Sequence, residues 1–323
     1  MSGPKKTVLL YNPEAGRIRT RRDLLRRLLE RLREELGAVE AAATEGPMTA
    51  GRIARQWIEA GADLICVAGG DGTLNEAAAG VAGTDAALLP LPAGTANVLC
   101  NELGLGNDPL RAAAELKRLT PVSVAPGVLR SGSGERLFLC MAGAGLDARI
   151  VRLVSPEFKR RFGKLSYWEA GLAQLGRRLE QFEAVVDGRR YTCSFALMSR
   201  VRNYGGDLWI ARHANLLEDR LAVVLFEGSS SLRYLKYFAG VVLGRLAGMR
   251  GVHVLDARQV EVRLLDDQVI DLQVDGEHAG YAPATVELSR RRLRLLVPKR
   301  YATAMRPAAV ASPAVAEPLG RGD

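Results

Sequence analysis

Apolar positions follow two regimes along the chain. In the first third, short continuous runs alternate with helical stripes. Thr7–Tyr11, Val39–Ala43, Asp63–Ala68 and Ala86–Leu91 are largely apolar segments of strand length, and the segments between them carry helical spacing. The clearest stripe runs from Thr20 to Leu36, where Leu24, Leu25, Leu28, Leu29, Leu32 and Leu36 share one face. Thr20 and Asp23 fit a variant capping box at its start, and Gly37 fits a stop. Further helices are expected over Met48–Ala60 and Leu74–Val81, and again after Asn97. This alternation predicts a parallel sheet with helices on both faces, a Rossmann-like α/β domain. Ligands of such sheets sit beyond the carboxyl ends of the strands, and the loops Asn12–Gly16, Gly69–Thr73 and Pro92–Asn97 fall there.

From about Val122 the pattern turns β-rich. Val124–Leu129 and Arg136–Met141 flank a hairpin signal at Ser131–Gly134, and Asp187-Gly188 is a second turn. Leu221–Phe226, Gln259–Leu265, Val269–Val274 and Thr285–Leu288 are further expected strands, interrupted by helical inserts around Tyr167–Phe182 and Ser231–Met249. The resulting division is an α/β domain over 1–122, which 290–306 could return to complete. A β-rich domain over 123–298 and an Ala/Pro-rich disordered tail over 307–323 follow.

Composition changes this picture little: 48% hydrophobic and 25% charged residues are ordinary for a folded chain. The net charge of +9 favours anionic partners. Aromatics at 6%, without a basic–aromatic ribonucleoprotein pattern, weigh against nucleic acid. Four dispersed cysteines and three histidines give no basis for a disulfide framework or a zinc site. No secretory signal is evident, and the greasy stretch near Phe238–Leu243 is too short to span a bilayer. The expectation is a cytoplasmic protein with peripheral contact at the inner membrane face. Arg149–Lys164 and Arg233–Arg250 interleave basic and apolar residues, the second with Tyr234, Tyr237 and Phe238. Both suit an anionic bilayer surface, although each taken alone reads first as an amphipathic helix on a core. The sequence leaves the oligomeric state open, a homodimer being one option.

The main chemical signal is Gly69-Gly-Asp-Gly-Thr-Leu-Asn-Glu76. Glycines let the main chain approach phosphates closely, and the helix expected from Thr73 offers free amides and a favourable dipole to an anion. Asp71 cannot touch phosphate without a cation, so it suits Mg2+ or the attacking hydroxyl. The bland alternative is a tight strand-to-helix turn with a capping aspartate. Pro92-Ala-Gly-Thr-Ala-Asn97 repeats the strand-to-helix setting; Thr95 is a phosphate hydrogen-bonding candidate, and Asn97 a helix cap. Asn12-Pro13 and Thr44 are weak signals alone.

Together with Gly143-Ala-Gly-Leu-Asp147 and Asp275-Gly-Glu277, these segments resemble the diacylglycerol kinase catalytic-domain family over most of residues 7–298. The resemblance implies a nucleotide-binding α/β domain and a β-sandwich domain, with ATP between them. It implies ATP contacts by Asn12, Thr44, Gly69, Gly70, Asp71, Gly72, Thr73, Leu74, Asn75 and Thr95. Glu277 would accept the proton, and Asp71 would support Mg2+, or serve as the base itself. It further implies a structural Mg2+ held by Leu216, Asp219 and Leu221, although Arg220 stands where the family often has glycine. Phosphorylation of a lipid hydroxyl, of diacylglycerol or a related lipid, is the activity implied. An NAD kinase, which shares the Gly-Gly-Asp-Gly loop, and a non-catalytic lipid- or nucleotide-binding module are the alternatives.

Overall fold

The computed structural model describes residues 6–153, 176–204 and 208–306. Part of Arg149–Lys164 and most of the helical insert expected over Tyr167–Phe182 lie outside them, as does the 307–323 tail.

The first domain runs β1 (Thr7–Tyr11), α1 (Gly16–Thr20), α2 (Leu24–Leu36), β2 (Val39–Ala43), α3 (Ala50–Glu59), β3 (Leu64–Gly69), α4 (Asp71–Val81), β4 (Ala87–Pro92), α5 (Val98–Glu102), α6 (Pro109–Ala114) and β5 (Leu119–Val124). The second runs β6 (Gly127–Ser131), β7 (Gly134–Phe138), β8 (Met141–Gly145), α7 (Leu146–Leu153), β9 (Phe182–Val186), β10 (Arg189–Cys193), β11 (Phe195–Ser199), β12 (Asn203–Tyr204), β13 (Leu208–Trp209) and β14 (Leu221–Phe226). It continues with α8 (Arg233–Val242), β15 (Val252–Ala257), β16 (Gln259–Leu264), β17 (Asp271–Val274), β18 (Glu277–Tyr281) and β19 (Ala284–Leu288). β20 (Leu293–Pro298) and α9 (Lys299–Ala304) end the described chain.

β1, β3 and β4 are continuous buried runs because neighbouring strands and helices cover both their faces, whereas β2 is an edge strand with Glu40 exposed. They form a six-stranded sheet of order β2-β1-β3-β4-β20-β5. Pairing is parallel except between β20 and β5. The domain limit at 122 therefore falls inside β5, and β20, within the stretch 290–306 that could return to complete the first domain, lies in the first sheet.

The second domain is a β-sandwich of two six-stranded sheets, β10-β9-β16-β19-β6-β7 and β15-β14-β11-β8-β17-β18. Phe138, Phe182, Met198, Val260, Val262, Leu272 and Val286 meet in its interior. In β14 the alternation is hidden because both faces are covered. Leu221, Val223 and Leu225 face the sandwich core, whereas Ala222, Val224 and Phe226 join the larger cluster that continues into the first domain.

Several local expectations change. The helix expected from Thr20 is broken at Arg21–Asp23, and neither proposed cap acts on α2. Thr20 Oγ1 instead donates to the Gly16 carbonyl within α1 at 2.7 Å. The stripe itself stands, with Leu24, Leu28 and Leu32 buried. α3 starts at Ala50 because Met48 takes a left-handed φ of 62°. The helix expected from Leu74 begins at Asp71, so Gly70 alone links β3 to α4. Phe182, the expected end of a helix, opens β9.

α3 and α4 touch through main chain. A Cβ on Gly80 would stand 2.2 Å from the Gly51 carbonyl oxygen, which has no freedom to yield. Gly80→Ala is expected to lower stability by about 1–3 kcal/mol, read as a lower urea midpoint with unchanged far-UV circular dichroism.

Candidate active site

The carboxyl edge of the first sheet gathers the predicted loop residues. Asn12 follows β1, its amide Nδ2 donating to Thr73 Oγ1 at 3.1 Å while its Oδ1 accepts from the Glu14 amide at 2.9 Å. Thr44 follows β2 and is buried, its main-chain N–H bonded to the Tyr11 carbonyl at 2.8 Å. β3 leads straight into α4, whose first-turn amides have no partner earlier in the helix. β4 leads into the Gly94–Asn97 turn, with Thr95 exposed at its tip.

The two glycine loops lean on each other. A Cβ on Gly94 would come within 2.5 Å of the Gly70 Cα, and the Gly94 amide donates to the Gly69 carbonyl at 3.1 Å. Asn97 locks this turn rather than capping α5. Fully buried and left-handed (φ 49°), it accepts from the Gly94 amide at 2.9 Å and donates to the Gly94 carbonyl and to Asn107.

Not every residue of the octet faces this edge. Leu74 is core, so only its main chain could meet a ligand. Asn75, expected at the nucleotide, sends Nδ2 across the domain boundary to the Leu137 carbonyl at 2.7 Å. Glu76 caps α3, accepting from the amides of Met48 (2.9 Å) and Ala50 (3.1 Å).

The second domain delivers acid to the same edge. Asp275-Gly276 is a hairpin turn between β17 and β18, with both residues at positive φ (47° and 79°). Glu277 follows, and its Oε1 lies 2.4 Å from where a Cβ on Gly72 would stand. Its Oε2 accepts from Arg136 Nη2 at 2.9 Å, and Arg136 also binds the His278 carbonyl at 3.1 Å, which fixes the carboxylate's direction. Asp71, beside Gly72, is half-buried and reaches the Leu99 amide at 3.4 Å. The two predicted acids thus flank one glycine.

Below them, Asp275 accepts from the amides of Leu139 (3.0 Å), Cys140 (3.0 Å) and Met141 (2.7 Å). Burial pushes its carboxyl up to about 7 and the Asp71 charge adds to this, while the three amides act in the opposite sense. The turn is also held through Gln273, whose Oε1 accepts from the Gly276 amide at 2.9 Å and whose Nε2 donates to buried Asp147 at 2.7 Å. Burial raises the Asp147 carboxyl, opposed by its bonds from Tyr204 and Gln273. Arg136 and Gln273 carry no sequence signal, because their partners are distant in the chain.

The implied structural metal loop has a different occupant. The Leu216 carbonyl accepts from Arg200 Nη2 at 2.7 Å, and the Arg220 carbonyl from Arg200 Nη1. Asp219 is paired with Arg292 Nη1 at 2.8 and 3.0 Å, and Leu221 opens β14 opposite Ala257. This donor set does not fit a divalent ion.

The two basic–apolar segments turn part of their side chains inward, as an amphipathic helix on a core does. In the first, Arg149 pairs with Glu180 and Arg152 with Asp271, and Phe158–Lys164 lie outside the described residues. In the second, Tyr237 is buried against Phe226, and Tyr234 bonds Ser194 Oγ at 2.9 Å, so both tyrosines face inward. Leu232, Leu235, Phe238, Val242 and Leu243 are exposed instead. Among the described residues no helix is long and apolar enough to cross a membrane.

Comparison with known proteins matches this two-domain arrangement. Residues 6–126 match the diacylglycerol kinase catalytic domain, and 140–297 match the YegS C-terminal NAD kinase beta sandwich-like domain. The chain therefore carries a domain of the diacylglycerol kinase catalytic type followed by one of the YegS C-terminal type. A diacylglycerol kinase of Mycobacterium tuberculosis is 29% identical over 74% of this chain and 78% of its own length. One from Bacillus subtilis is 24% identical over 92% and 98%. The crystal structure of a diacylglycerol kinase from Bacillus anthracis shares the fold, with a TM-score of 0.72 at 20% identity over 93% of this chain and 99% of that one.

Asp275→Asn turns an NH2 group toward main-chain donors. It is expected to cost about 1–3 kcal/mol, measured as a lower thermal midpoint at neutral pH.

Proposed function

We propose that this protein transfers the γ-phosphoryl group of ATP to the hydroxyl of a lipid, diacylglycerol or a close relative. The observation that carries this reading is the seating of Glu277 Oε1 over Gly72, beside Asp71, at the start of α4. A phosphoryl acceptor needs a carboxylate next to a phosphate cradle, and here each domain contributes one part.

The residues fit the nucleotide. Gly70, Gly72 and Gly94 leave main chain bare, and α4 opens with amides that have no helical partner. Asn12, Thr73 and Thr95 add side-chain polar groups around them. Asp71 would hold Mg2+ together with phosphate oxygens, and the bound ion would neutralise charge on the transferring group. Glu277, aimed by Arg136, accepts the proton of the acceptor hydroxyl as the phosphoryl group moves; an alcohol is too weak an acid to give it up beforehand. The Asp275 turn and the Asp147–Gln273 pair keep Glu277 in place and do not touch substrate.

The acceptor is presented by a bilayer, and α8 is the docking face in this reading. Its outward residues Leu235, Phe238 and Val242 form an apolar stripe continued by Leu232 and Leu243. No acidic residue occurs between Glu227 and Asp256, while Arg233, Lys236, Arg245 and Arg250 do. An apolar stripe among uncompensated cations suits an anionic lipid surface.

Asp71→Asn and Glu277→Gln are each expected to lower phosphorylation of a total lipid extract by about 10²-fold or more, with unchanged thermal midpoints. Wild-type turnover in both would refute the assignment. Gly72→Ala is expected to fold, since only the end of a flexible side chain must yield, and to lose activity through displacement of Glu277. NAD assayed as acceptor in parallel should give no product. Leu235→Asp with Phe238→Asp is expected to abolish cosedimentation with phosphatidylglycerol vesicles while leaving turnover on detergent-dispersed lipid intact. Unchanged vesicle binding, or a shift from dimer to monomer, would remove α8 as the docking face.

A further inference from the structure

We infer that the guanidinium of Arg200 is the built-in cation of the 215–220 loop, doing there what a bound divalent ion would otherwise do. Arg200 follows β11 and is fully buried, the largest fully buried side chain in the described chain. Its amide is tied to the Cys140 carbonyl at 2.7 Å, and its side chain runs under the loop. Nη2 and Nη1 donate to the carbonyls of Leu216 and Arg220, at the two ends of the loop's last turn. A divalent ion clamps a loop by drawing carbonyls to one positive centre, and a planar guanidinium clamps the same groups by a fixed fork of donors.

The remaining charges of the loop are already balanced. Asp219 is taken by Arg292, which also binds Ser123 in β5 through Nε at 3.0 Å and Nη2 at 2.9 Å. Glu218 pairs with Arg220, and Arg220 with Asp256 at 2.9 Å. Asn215 donates to the Met305 carbonyl at 2.9 Å. The loop is thus the joint between the sandwich and the last strand and helix of the chain. A divalent ion at the Leu216 carbonyl would stand beside a fixed positive charge, with no free carboxylate to offset it. Burial draws the Arg200 pKa down to about 10, so the side chain remains charged at neutral pH.

The consequence is that folding needs no metal, whatever the nucleotide requires. Nucleotide-free protein purified without chelator is expected to hold no stoichiometric divalent ion by plasma mass spectrometry, before or after dialysis against a chelator. Its thermal midpoint should agree within about 1 °C with that in millimolar Mg2+. Arg200→Gln is expected to lower the midpoint by about 5 °C or more, with Arg200→Lys intermediate. One retained divalent ion per chain, lost together with stability on chelation or in Asp219→Asn, would overturn the inference. So would an Arg200→Gln protein as stable as wild type. Should Arg200→Gln fail to fold, the metal content and chelator response of the wild type decide alone. No activity is read, so either outcome leaves the proposed phosphotransfer standing or falling on its own test.

Discussion

A missing side chain at Gly72 is the constraint on which the site depends. β3 passes into α4 with one residue between, so the first helical turn lies at the mouth of the sheet. A carboxylate from the far domain rests on that turn because nothing projects from Gly72 to keep it away. Other contacts close around this point. Asn75 grips the β7 carbonyl of Leu137, and the amides that open β8 hold Asp275. The domains are therefore fastened next to the chemistry, and movement that opened the cleft would first have to break buried polar bonds.

Much of this was legible in the sequence, for a physical reason. Strands covered on both faces must be apolar throughout, so β1, β3 and β4 stand out as runs, and the loops that follow them carry glycine where main chains meet. The start of α4 was placed late because Asp71, Gly72 and Thr73 lack helical hydrophobicity; the helix is imposed by β3 and by contact with α3. Asp275-Gly276, singled out in the sequence together with Glu277, is a hairpin turn that sets the Glu277 carboxylate over Gly72.

What stayed hidden depends on contacts between distant residues. Arg136 meets Glu277, and Arg200 meets Leu216 and Arg220, and no local pattern marks either arginine. Asn75 and Glu76 looked like part of the ligand motif, yet their side chains serve the domain joint and the α3 cap. Tyr234 and Tyr237 illustrate the same ambiguity on a helix: alternation of basic and aromatic residues does not say which face turns inward. The aromatic cluster with Phe195 and Phe226 decides it.

The place of β20 has a consequence for how the molecule is made. The strand wedges between β4 and β5, pairing Ala87 with Arg294 and Leu88 with Leu295 on one side and running antiparallel to β5 on the other. As synthesis proceeds from the N-terminus, the open edge of β4 must wait for the whole sandwich to emerge before its neighbour arrives. Contacts of such long sequence separation form slowly, and an unpaired edge invites association with other chains. Nascent chains crowded on one messenger would be most vulnerable during that interval, and a translational stop anywhere before Leu293 would leave a half-built sheet for the cell's quality control to clear.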